Sequence, residues 1–287
     1  MPDSTHADGT IEGLLAAAQT GPAGIAGRDA EILLAAAANL TRTQLIARGS
    51  GPLPAAAVAR FGELCRRRAA GEPVAYLLGR REFWSLSFDV DRSVLVPRPE
   101  TELLVDRVLA RVVPATAHVA DLGTGSGAIA IALATERPQW RITASDSAPA
   151  ALAVARRNGE RLVPGRIEWI LNEAAGWFAP FAGRRFDAIA SNPPYIAGDD
   201  PVLSGDSLRY EPRGALTPGG DGFAALATLI DEAPGHLSPG GWLLLEHGAG
   251  QASAVRAALV ARGFTSVTSH RDLAGHERAT EAQWPSP

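Results

Sequence analysis

Asn192, Pro193, Pro194 and Tyr195 follow directly on a strand-like run, FDAIAS (186–191). Proline has no N–H to give to a sheet ladder, so the strand must end there, and the residue before each proline is held extended. The result is a stiff loop whose backbone carbonyls no local N–H claims, in effect a fixed set of hydrogen-bond acceptors. Such a set suits a planar –NH2 group, on an amide or on adenine, whose delocalised lone pair makes it a poor nucleophile. The Asn192 side-chain oxygen and the Pro193 carbonyl can accept both hydrogens, and the Tyr195 ring offers the flat group a face. Rate would come from holding the nitrogen in line with a methyl donor and from stabilising the charge that grows on it. No metal is needed for this chemistry.

A second pattern lies upstream. VADLGTGSGAIA (119–130) reads as strand, glycine-rich turn and helix, with Gly123, Thr124, Gly125, Ser126 and Gly127 forming the turn. The glycines permit a tight turn and close approach of a ligand to backbone, and the helix start supplies oriented N–H groups for an anion. Asp146 ends the next strand-like run, 19 residues after Gly127, where a carboxylate can accept from both hydroxyls of a ribose. The ligand is therefore an adenosine-containing cofactor. Read as G-x-G-x-x-A the glycines also fit a dinucleotide, so they leave nicotinamide and S-adenosyl-L-methionine (SAM) open. NPPY decides for SAM, because a hydride-transfer enzyme gives it nothing to do.

These residues need a scaffold at strand ends, and the chain reads as one. From 99 onward helices and strands alternate: ETELLVDRVLARV, HVADL, AIAIALATE, RITASD, APAALAVARRN, RIEWIL, FDAIAS, FAALATLIDEAPGHL (223–237), GWLLLEH and ASAVRAALVARG. FTSVTSHRD and ERATEAQW close the series as an antiparallel pair. Alternation of this kind predicts an α/β doubly wound, mostly parallel Rossmann-like sheet with ligands at strand C-termini. Residues 10–70 read instead as helices, with Ile32, Leu33, Ala36 and Leu40 on one face of 28–40 and Val58, Phe61, Leu64 and Cys65 on one face of 54–70. Residues 71–100 carry β-branched and aromatic residues that predict a hairpin.

Composition narrows the field. The 287 residues carry a net charge of −4, and all 27 basic residues are Arg. Neither half has the basic footprint of a nucleic-acid binder. A single cysteine, Cys65, excludes an internal disulfide or a multi-Cys zinc site. The start MPDSTHADGT has no secretory pattern, and the longest apolar run, ILLAAAA (32–38), is short of a bilayer span, so a cytoplasmic protein without membrane contact is expected.

DLGTGSGAIA, SNPPYI, LVPRPETE (95–102), LLLEHG (243–248), REFWSL (81–86) and RYEP (209–212) together resemble the HemK/PrmC-type protein-(glutamine-N5) methyltransferases. The resemblance runs in the same order from about residue 28 to nearly the last residue. It implies a helical substrate-recognition domain over 1–75, a β-hairpin linker over 76–97 and a SAM-dependent methyltransferase domain over 98–287. It implies SAM as methyl donor, S-adenosyl-L-homocysteine as product, and as substrate the glutamine of the Gly-Gly-Gln loop of peptide chain release factors. Gly123 to Gly127 would border the methionine part of SAM, Asp146 the ribose and Trp177 the adenine. Asn192, Pro193, Pro194 and Tyr195 would hold the glutamine amide, Asn192 also touching the cofactor. One departure stands out: LNEAAGWFAP (171–180) has Gly176 where the family usually has an acidic residue before Trp-Phe, which leaves Glu173 or packing alone to serve the adenine.

Rival readings are an adenine-N6 methyltransferase acting on nucleic acid and a SAM-binding protein that no longer catalyses. The charge balance argues against the first and the intact NPPY against the second. Glu246-His247, at a strand end, reads as structural, since an amide –NH2 sheds its proton after methyl transfer. Arg98 and Thr101 read as part of either a helix start or the substrate entrance. The loop over 196–220 has the length of a lid.

Overall fold

The computed structural model describes residues 9–21, 24–49, 51–174, 176–205 and 207–286. The opening residues 1–8, read above as lacking an export signal, lie outside them. The chain divides into two compact units, Met1–Gly79 and Arg80–Pro287.

The first unit holds α1 (Ile11–Thr20), α2 (Gly27–Ala38), α3 (Arg42–Arg48), α4 (Ala55–Ala69) and α5 (Val74–Leu78). Its helices start where short polar side chains replace missing partners: the Thr10 hydroxyl accepts from the Gly13 N–H, and Thr41 with Gln44 forms a capping box. Leu33, Leu34, Phe61, Leu64 and Cys65 are buried together. The inward face of α2 is only in part the one read from sequence, which has Leu33, fully buried, and Leu40, packed against the core. Ala30, Leu33, Leu34 and Ala37 are buried while Ile32 is 37% exposed, because a helix so rich in alanine gives the apolar period little contrast. The hairpin is also shorter than expected. Val74–Leu78 is helical, preceded by Pro73 and ended by Gly79 in the left-handed region.

The second unit opens with β1 (Arg80–Phe83) and β2 (Leu86–Asp89), an antiparallel hairpin turned by Trp84 and Ser85 at positive φ. The Trp84 N–H donates to Glu102 and the Asp89 N–H to Asn158, so the hairpin is fastened to the elements that follow. These are α6 (Glu102–Arg111), β3 (His118–Leu122), α7 (Ala128–Glu136), β4 (Arg141–Asp146), α8 (Pro149–Leu162), β5 (Ile167–Leu171), β6 (Phe186–Ser191), α9 (Ala224–Glu232), β7 (Leu237–Glu246), α10 (Ala252–Arg262), β8 (Thr265–Arg271) and β9 (Glu277–Gln283). The seven-stranded sheet has the order β5-β4-β3-β6-β7-β9-β8. The first five are parallel, and β9 runs antiparallel to both neighbours. This is the mostly parallel, doubly wound sheet the alternation predicts, with its closing antiparallel pair.

The α9 region needs one correction. The helix read over 223–237 ends at Glu232, since Pro234 falls in a 3-10 turn and Leu237 already begins β7. The core joins Phe181, Phe186, Ile189, Leu226, Leu229, Leu243 and Leu245 across the sheet. Strand order turns back between β3 and β6, where crevices form at strand C-termini. Among the described residues no helix is long and apolar enough to cross a membrane.

Glu281 on β9 ties this sheet to α6. It is 1% exposed and accepts from Arg111 at 2.8 Å and Arg107 at 3.1 Å, with His270 of β8 at 3.0 Å. Burial would raise its pKa, but the bonds from Arg111, Arg107 and His270 win and hold it below the ordinary glutamate range. A carboxylate with a depressed folded pKa stabilises at neutral pH and loses that contribution as pH falls through the folded value. Glu281→Gln is therefore expected to cost roughly 1–3 kcal/mol at pH 7. The deficit relative to the parent should shrink on acidification below about pH 4.5. Urea melts at both pH values check this, and a pH-independent deficit would refute it.

Candidate active site

The residues singled out from sequence gather at the C-terminal ends of β3, β4 and β6. The turn after β3 is braced from below by Asp121, fully buried, which accepts from the Thr124 hydroxyl at 2.6 Å and the Ala130 N–H at 3.1 Å. Burial pushes its carboxyl up to about 7 against those two bonds. The Gly123 and Thr124 N–H groups donate to the Ser145 carbonyl on β4. Gly123 sits at φ +73°, and a Cβ there would come within 3.1 Å of the Trp177 ring. Gly125, by contrast, faces open space.

Asp146 is fixed on both oxygens. One accepts from the Gly125 N–H at 2.8 Å, the other from the Ala148 N–H at 2.9 Å. Burial raises its pKa while these backbone bonds pull it down. Lone pairs remain on each oxygen, as hydroxyl recognition requires. Asn172, just past β5, closes the loop ahead of Trp177: its Nδ2 donates to the carbonyls of Gly176 and Trp177. Glu173, one of the two alternatives for serving the adenine, is exposed and does not line the cavity of the site.

Beyond β6, pairing of Ser191 with Leu245 sets Asn192 beside Glu246 at the end of β7. Asn192 Nδ2 donates to Thr101 Oγ1 at 3.1 Å, and Thr101 Oγ1 donates to Glu246 Oε2 at 2.6 Å. The Tyr195 hydroxyl donates to Glu246 Oε1 at 3.1 Å. Burial drives the Glu246 carboxyl up to about 7, opposed chiefly by the Thr101 and Tyr195 bonds and by Arg278. Thus Glu246 is a hub of the site, which its sequence context did not disclose. The signals in the sequence were its place at a strand end and the LLLEHG run (243–248), and neither named a partner.

A cavity of about 640 Å3 runs between these groups. It is lined by Gly123 to Ser126, Asp146, Asn172, Trp177, Asn192 and Pro194, and by Arg98 and Thr101. Pro193 is buried and Tyr195 partly so, and neither lines it. Pro212, Gly214 and Ala215 of the loop over 196–220 also reach the cavity. That loop is latched to the 94–98 segment by Glu211, which is buried and accepts from the Val96 N–H at 3.0 Å and from Arg98.

Family models match the chain in two places, a PrmC N-terminal domain over residues 14–79 and a methyltransferase small domain over 99–221. The release factor glutamine methyltransferase of Burkholderia pseudomallei is 52% identical over 261 residues, 90% of this chain and 92% of that protein. The chain belongs to the release factor glutamine methyltransferase family. The member from Salmonella typhimurium is 48% identical over 88% of this chain and 90% of its own length. A methyltransferase from Pyrococcus furiosus, 20% identical with a TM-score of 0.54, covers 77% of this chain and 99% of its own, and shares the fold. As a member of this family the chain is a methyltransferase with the Rossmann-like sheet that its sequence predicts.

Proposed function

We propose that this enzyme transfers the methyl group of SAM to N5 of the glutamine in the Gly-Gly-Gln motif of peptide chain release factors, in support of translation termination. The observation that carries the reading is that Asn192, at the end of β6, shares one cavity with the glycine turn and Asp146. The cradle fits SAM: Gly125 leaves room where a side chain would stand, and Asp146 keeps acceptor capacity beyond its two backbone bonds. Bound there, SAM would supply an electrophilic methyl group on a sulfonium.

The chain's own residues do the rest. Gly123 to Gly127 border the methionine part, Asp146 takes the ribose hydroxyls and Trp177 packs beside the adenine. Asn192 Oδ1 and the Pro193 carbonyl accept from the glutamine –NH2, and as positive charge grows on that nitrogen both acceptors hold it more strongly. Pro194 fixes the loop and the Tyr195 ring shields it. The nitrogen sheds its proton after transfer, so no base is required to begin. The helical unit over residues 9–79 reads the protein substrate. An adenine-N6 activity on nucleic acid is not favoured, since the relatives' names concern release factors and the net charge is −4.

Incubation with methyl-labelled SAM and either a release factor or DNA tests the reading. Label should appear in the release factor, on the glutamine of its Gly-Gly-Gln peptide. Label in DNA alone would overturn it. For the cofactor site, Asp146→Ala is expected to weaken SAM binding by roughly 1.5–3 kcal/mol, the worth of hydrogen bonds to a charged group. Undiminished affinity by calorimetry would remove Asp146 from the ribose.

A further inference from the structure

The amide of Asn192 is nearly symmetric in shape, yet only one of its two orientations can work. With Oδ1 toward the cavity it accepts from a substrate –NH2. Turned over, it would confront that group with a second donor, and neither could bond the other. Something must set the orientation.

We propose that Thr101 and Glu246 are positioning residues that fix which way the Asn192 amide points. The proposal rests on the acceptor role given to Asn192 above. The argument is one of hydrogen-bond polarity. An ionised carboxylate has no proton to give, so Thr101 must spend its single hydroxyl proton on Glu246 Oε2, at 2.6 Å. Thr101 Oγ1 then has only lone pairs left for Asn192, which must present N–H to it, at 3.1 Å. The amide oxygen is thereby left for a ligand. Tyr195, whose hydroxyl also donates to Glu246, supports the same polarity and keeps the second carboxylate oxygen from competing for Thr101.

Burial makes the device firm. Thr101 is 5% exposed and Glu246 1%, so water offers no substitute partners and a reversed chain would leave buried groups unpaired. The three members come from distant parts of the sequence: a 3-10 turn ahead of α6, the end of β6 and the end of β7. Arg278 favours the charged form of Glu246 and Glu100 opposes it; the neighbouring His247 is buried and held toward its neutral form, bonded to Thr280. Above pH 7 the carboxylate prevails.

The test is single-turnover methyl transfer to a release factor at pH 8 and saturating SAM. Thr101→Val keeps the shape but removes the hydroxyl, and is expected to slow transfer by about 10–100-fold, as outer partners of a reacting group do. Thr101→Ser restores the hydroxyl and should run close to the parental rate. SAM affinity should hold in both. In an Asn192→Ala background Thr101→Val should cost little more, because its effect passes through the missing amide. If Thr101→Val folds poorly, Glu246→Gln, whose amide can donate back to Thr101 and reverse the chain, should slow transfer likewise. Parental rates in Thr101→Val and Glu246→Gln, or full additivity with Asn192→Ala, would overturn the proposal. A parental rate for Asn192→Ala alone would instead remove the acceptor role on which it rests.

Discussion

Asn192→Ala is expected to slow methyl transfer to a release factor by about 10²–10³ at saturating SAM, the usual cost of losing one preorganised polar partner at a reacting centre. The side chain matters most as charge develops on the glutamine nitrogen, so the loss falls on the transfer step. The fold should scarcely register it. β6 is held by ladders to β3 and β7 and by Phe186, Ala188, Ile189 and Ala190, all buried, while the Asn192 side chain makes one bond, to Thr101. Tyr195→Phe should be milder, since Glu246 keeps its bond from Thr101 when the phenol is gone. Single-turnover measurements, with SAM affinity and melting measured beside them, decide the matter. An Asn192→Ala enzyme at near parental rate would mean that NPPY is only a turn.

A chain beginning at Arg80 is expected to bind SAM as the full chain does yet lose most methylation of intact release factor. Every residue assigned to the cofactor lies in the unit from Arg80 onward, and the first 79 residues carry no cofactor pattern. The hairpin of β1 and β2 should be kept, because Trp84 and Asp89 are bonded to Glu102 and Asn158. Calorimetry with SAM confirms that the shortened chain is folded, and methylation of intact release factor then measures what the missing helices contribute. Full activity would show that residues 9–79 do not read the substrate.

The parts of the site that the sequence disclosed are those whose chemistry is written in consecutive residues. The glycine turn, Asp146 at a strand end and NPPY each combine a backbone conformation with a functional group in one short segment. Thr101 and Glu246 are separated by 145 positions, and neither residue type at its place says that the other is near. Their contact follows from how the turn ahead of α6 packs over the end of β7, which is a property of the whole fold. The same holds for Glu211 and Val96, 115 positions apart, although the loop's length did mark it as a covering segment. Among the elements, the strands were legible because buried parallel strands are continuous apolar runs. What failed were α5, whose Val and Tyr look like strand, the end of α9, where Pro234 stops the helix and Leu237 already begins β7, and part of the inward face of α2, where alanines surround the axis. Asn172 closing the loop ahead of Trp177 was out of reach too, since its bonds go to backbone carbonyls that any residue type would present.

The position of β9 bears on how the protein is made. Residues 277–283 follow every other strand in sequence, yet in the sheet they lie between β7 and β8. Until they emerge from the ribosome, β7 offers an open edge of Leu243, Leu244 and Leu245, the kind of unpaired apolar edge on which nascent chains aggregate. The N-terminal helices are contiguous in sequence and can settle while synthesis continues. The catalytic sheet must wait, and with it the anchoring of α6 through Glu281. A chain broken off before residue 277 would thus carry a sticky, incomplete sheet in place of a slightly smaller enzyme, and the last strand is worth more to this protein than its distance from the cofactor suggests.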